Sequence, residues 1–123
     1  MTHFLTTQHL LSLAGELPDD PACDDLSVLD SILARPRARY LGRDVCGSDW
    51  LKAAAMLETA ARLRPLERHN DIYAWVIARV FLDMNGHHLG APPDEALKLV
   101  AASRDERVSV PEIAARLRAW SAE

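Results

Sequence analysis

Cysteine is scarce in this 123-residue chain. Cys23 and Cys46 make neither a disulfide framework nor a zinc-ligand spacing. A reduced, cytoplasmic protein is the expectation. No apolar run reaches the roughly 18–20 residues that span a bilayer, so no membrane association is expected. Met1-Thr2-His3-Phe4 also lacks the basic start of a secretory signal. There is no basic tail. Fourteen Lys and Arg against eighteen Asp and Glu leave a formal charge of −4, which argues against direct nucleic-acid binding. A glycine-rich phosphate loop and a Ser/His/Asp constellation are missing as well.

What remains is an ordinary soluble composition, 49% hydrophobic and 26% charged. Length and composition predict a single domain over residues 1–123. The pattern predicts six helices and almost no strand, an all-α bundle around a buried central helix. The first runs from about Thr6 to Gly15, and Pro18 and Pro21 end it. The second starts near Asp24 or Asp25, repeats Leu26, Leu29, Ile32 and Leu33, and stops at Pro36. Residues 37–47 carry no helical period and read as a loop or short hairpin. Ser48 caps a third helix to about Arg64, whose alanines permit close packing.

The fourth helix, about Asn70 to Asn85, is apolar on nearly every face, which predicts the middle of the bundle. Gly86 suits its left-handed C-terminal cap. Pro92-Pro93-Asp94-Glu95 opens a fifth helix, and Ser109-Val110-Pro111-Glu112 opens a sixth with a capping box.

The segment Arg64-Pro65-Leu66-Glu67-Arg68-His69-Asn70-Asp71-Ile72-Tyr73-Ala74 precedes the fourth helix. Its frame, without a gap, resembles the signature H-P-F-x-D-G-N-K-R-T-A of the Fic/Doc (death-on-curing) family. Two further stretches resemble that family, Leu26 to Pro36 ending Ala-Arg-Pro, and Phe81-Leu82-Asp83-Met84-Asn85-Gly86. The resemblance covers almost the whole chain. It implies a compact helical fold and transfer of AMP or phosphate from a magnesium-bound nucleotide to protein hydroxyls. It also implies an antitoxin protein as partner and, by likeness to Doc, a target in the translation machinery.

The residues depart from that chemistry. Arg64 stands at the histidine position, Arg68 at the aspartate, His69 at the glycine, Asp71 at the lysine and Ile72 at the arginine, while Pro65, Asn70 and Ala74 match. A guanidinium stays protonated and cannot act as a general base at neutral pH. Arg68 would repel a magnesium ion, and Ile72 cannot clamp a phosphate. Histidine is awkward if the turn needs positive φ. The usual nucleotide–magnesium chemistry is therefore expected to be altered or lost, and whether the chain is an enzyme stays open.

One reading keeps an anion pocket built from Arg64, Arg68 and Asn70 at a helix N-terminus, with His69 as acid or base and Asp71 or Glu67 orienting it. The other makes Arg64, Glu67, Arg68 and Asp71 a solvated ion-pair cluster. No metal site is predicted, and His87 and His88 read as helix-end residues. Arg35, Arg37, Arg39 and Tyr40 fall where the family carries a flap beside its substrate groove, and arginine and tyrosine are favoured at interfaces. A charged surface loop explains them equally. A toxin with altered chemistry and a non-catalytic Fic-like binding module are the two leading functions. A helix-turn-helix regulator stands behind them, for want of a basic recognition face.

Overall fold

The computed structural model describes residues 1–121. Six helices form in order: α1 Thr7–Gly15, α2 Leu26–Ala34, α3 Asp49–Leu63, α4 Asn70–Met84, α5 Pro93–Arg104 and α6 Val110–Trp120. A single turn of 3₁₀ helix, Arg35–Arg37, follows α2 directly. Between it and α3 lies a two-stranded antiparallel hairpin, β1 Arg39–Tyr40 and β2 Arg43–Asp44. Leu41 and Gly42 at its tip both have positive φ, 51° and 79°. That is the backbone a two-residue hairpin turn demands. The expected all-α bundle forms, and of the loop or short hairpin expected over residues 37–47 the hairpin is what is present.

Local hydrogen bonding sets most helix ends. Thr6 accepts from the N–H of His9, whose ring in turn accepts from the Thr6 N–H. Asp25, Ser48 and Ser109 cap α2, α3 and α6 through their side chains, and Ser109 shares a capping box with Glu112. The hydrogen bonds from Ser27 hold the Asp25 carboxyl below its ordinary pKa. Gly86, at φ 86°, closes α4, and the His87 N–H returns to the Leu82 carbonyl at 2.8 Å.

The centre of the bundle differs from the sequence expectation. α3 buries ten consecutive residues, Lys52 to Ala61. It packs against α2, α4, α5, α6 and the 3₁₀ turn. Ala53, Ala54, Ala55, Ala60 and Ala61 let those neighbours approach from all sides. α4 instead buries one broad face, Tyr73, Ala74, Ile77, Ala78, Phe81 and Leu82. Its Ile72 and Met84 are each 36% exposed. Small side chains, not large apolar ones, mark the helix that is surrounded. Among the described residues both cysteines are free thiols, and no helix is long and apolar enough to cross a membrane.

Candidate functional site

The α3–α4 turn buries Pro65, Leu66 and Asn70 and leaves Arg64, Glu67 and Arg68 exposed. α3 ends on Arg64, in the left-handed region at φ 48°, which throws the chain back toward α4. Pro65 and Leu66 are buried. The Pro65 carbonyl accepts from Asp24 N–H at 2.8 Å, and Glu67 N–H donates to the Ala22 carbonyl at 2.9 Å. These bonds make an antiparallel bridge between Leu66 and Cys23, so the turn is braced by the α1–α2 connection. Asn70 faces inward, 4% exposed. Its Oδ1 accepts from Leu66 N–H and its Nδ2 donates to the Leu66 carbonyl, both at 2.9 Å. Its amide is thereby committed to holding the turn, and any anion contact from Asn70 falls to its main-chain N–H.

His69 is the N-cap of α4 at φ 64°, and its side chain caps nothing. The position does need positive φ, and histidine occupies it. Its Nε2 is buried without a hydrogen-bond partner. Tyr73 is fully buried and donates to the Leu10 carbonyl at 2.7 Å, tying α4 to α1. Burial pushes its phenol pKa upward.

On the outer side, Arg64 Nη1 meets Asp71 Oδ1 at 3.0 Å. Arg104, from the last turn of α5, donates to the other Asp71 oxygen. Arg104 also binds Asp105 at 3.1 Å, and Asp105 lies 3.5 Å from Arg107. The hydrogen bond to Asp105, with the charges of Asp71 and Asp105, raises the Arg104 pKa further. Arg68 turns elsewhere. It pairs with Glu67 at 2.8 Å and reaches the Asp19 carbonyl at 3.4 Å. Arg64 and Asp71 are therefore brought together, Arg68 is directed away, and the partner absent from the sequence reading is Arg104. No spacing in the sequence links positions 71 and 104. Their meeting depends on α5 packing against α4.

Among the described residues, no hydrogen bond links the His69 ring to Asp71 or Glu67. Both carboxylates are engaged by arginine. The donor set does not fit the magnesium the family implies. A hard divalent ion needs free oxygen ligands, and the carboxylates of this turn, Glu67 and Asp71, are paired with guanidinium groups. No cluster of three His, Cys, Asp or Glu side chains able to hold a metal is present among the described residues.

His69 carries a testable energetic signature. A left-handed conformation costs a non-glycine residue about 1–2 kcal/mol, which exceeds the roughly 0.5–1 kcal/mol that glycine's extra unfolded freedom costs. His69→Gly also removes the unpartnered buried nitrogen. It is expected to stabilise the chain by about 1 kcal/mol in urea unfolding. A lower midpoint for the glycine variant would show that the imidazole has a structural partner.

The flap residues are mostly occupied within the chain. Arg35 Nη1 donates to Glu58 Oε1 at 2.7 Å. Arg37 lies over the Phe4 ring at 4.4 Å. Arg39 donates to the Gly42 carbonyl and stands 3.6 Å from Asp44. Tyr40 is 71% exposed, and Leu41 beside it 84%. Below the turn, Ile72, Trp75, Arg79, Leu89, Pro93 and Leu97 line an apolar groove of about 230 Å³ between α4 and α5.

With that geometry in view, comparison with curated proteins gives a relative of nearly the same extent. Toxin Doc of Mycolicibacterium smegmatis (strain ATCC 700084 / mc(2)155) is 35% identical over 131 aligned residues, covering 99% of this chain and 96% of the relative. The chain belongs to the Fic/Doc family. No family model matches it. The turn between α3 and α4 holds the segment whose frame resembles the family signature, and the hairpin between α2 and α3 falls where the resemblance would put a flap.

Proposed function

We propose that the chain is the toxin of a toxin–antitoxin pair, with a working surface formed by the 64–71 turn and the flap. The observation that carries this reading is the near full-length likeness to Toxin Doc. An antitoxin protein is then the expected partner, and the family resemblance suggests a target in the translation machinery and a cytoplasmic site of action. The turn supports an altered chemistry in which an anionic group is held without metal. The first N–H groups of α4 have no side-chain cap. Arg64 and Arg104 converge on Asp71, whose carboxylate a phosphate group could replace. His69 places an imidazole at the start of α4, with its Nε2 free of any hydrogen-bond partner.

A second reading is a non-catalytic Fic-like module that acts by binding proteins. The closed Arg64–Asp71–Arg104 cluster favours it, because the guanidinium at the base position cannot take a proton from a hydroxyl.

Growth of a bacterial host under induced expression tests both readings. The parent is compared with an Arg64→Ala/His69→Gly variant at matched soluble levels, leaving Asn70 intact because it braces the turn. Arrest by the parent and not by the variant is expected for a toxin acting through the motif. Growth of both supports the binding module. Equal arrest by both removes the motif from the activity.

A further inference from the structure

The flap leaves α2 and returns to α3 through only two paired residues on each strand. One more main-chain bond extends the pairing, Val45 N–H to the Ala38 carbonyl at 2.9 Å. An isolated two-stranded hairpin of this size is marginal in water. Something else holds it, and charged groups buried on α3 stand at both of its ends.

At the outgoing end, Arg35 donates to Glu58 at 2.7 Å, Thr59 Oγ1 at 3.2 Å and the Ala55 carbonyl at 3.4 Å. Glu58 has only 11% of its side chain exposed, and Arg62 holds its second oxygen at 3.2 Å. At the returning end, Lys52 is 3% exposed, an unusual position for an ammonium group. It donates to Asp44 Oδ2 at 3.2 Å and to the Cys46 carbonyl. Arg39 approaches the same Asp44 from within the hairpin. A buried charge is tolerated only where its partners are fixed. The Arg37–Phe4 contact adds a tie to the N-terminal segment.

We infer that Lys52 and Glu58 are positioning residues that clamp the flap to α3 as a preformed hairpin. The clamp presents Tyr40 and Leu41 in one geometry to a protein partner. A surface ordered before binding avoids the entropy of ordering during it. The inference rests on the reading of the flap as a partner-contacting surface, and two independent measurements keep the two apart.

Hydrogen exchange of the full chain reads the clamp directly. In Lys52→Met, which keeps the aliphatic stem, the Val45 amide is expected to exchange roughly tenfold faster, with Ile77 and Ala78 in α4 unchanged. Glu58→Gln provides the same test if the methionine variant fails to fold. Val45 that is unprotected in the parent, or unchanged in both variants, overturns the inference.

Growth arrest at matched soluble levels reads the partner surface. If Lys52 acts by presenting Tyr40, adding Lys52→Met to Tyr40→Ala weakens arrest no further than Tyr40→Ala alone. Additive losses would show that Lys52 acts on stability only, and would overturn the positioning role. Full arrest by Tyr40→Ala would sink the flap as a contact surface and leave the clamp to the exchange result.

Discussion

Asn70→Ala is expected to lower the unfolding free energy by about 2–4 kcal/mol, because it strands two buried main-chain groups. Both hydrogen bonds of the Asn70 amide go to the same residue, the N–H and the carbonyl of Leu66. Leu66 is 3% exposed, so water does not simply take over. The loss also spreads, since the neighbouring Pro65 and Glu67 bridge to Asp24 and Ala22. Urea unfolding with an unchanged slope is the measurement. A loss under about 1 kcal/mol would mean that the turn is held mainly by its bridge to residues 22–24. Asn70→Asp should fall between parent and alanine: one oxygen still accepts from Leu66 N–H, while the other faces a carbonyl.

The second large effect lies at Phe81, which is fully buried on α4 with its ring 6.4 Å from that of Phe4. Phe81→Ala is expected to cost about 3–5 kcal/mol, combining lost transfer energy with the cavity left among close-packed neighbours. Ile72→Ala, on the same helix but 36% exposed, should stay within about 0.5 kcal/mol. Thermal or denaturant unfolding of the pair gives the contrast. Comparable losses at both positions would mean that α4 is enclosed on every side, as its composition alone suggests.

That contrast shows where sequence reasoning stopped. Ile72, Trp75, Val76 and Val80 make α4 look like the helix at the centre. Yet Ala53 through Ala61 put α3 there, because a helix surrounded by four others must offer little side-chain volume to each. Hydrophobicity marks what is driven inward, whereas size marks what can be approached. The motif turn shows the same limit. The family frame raised positive φ at position 69 only as a condition, and nothing along the chain says that Asn70 points in while Arg68 points out. Lys52 is 3% exposed although lysine is ordinarily a surface residue, and nothing in its local sequence marks it as buried.

The sequence by itself determined the six helices, their ends and the frame of the family motif. Thr6, Asp25, Ser48, Gly86 and Ser109 act through hydrogen bonds or backbone geometry within a few residues of themselves, so a local reading reaches them. Only the tertiary structure decided which helix is enclosed, that Arg104 joins Arg64 on Asp71, and that Glu58 meets Arg35 while Lys52 meets Asp44. Each depends on where two helices or a helix and a hairpin cross. That crossing is set by the summed packing of many side chains, and no single stretch of sequence contains it.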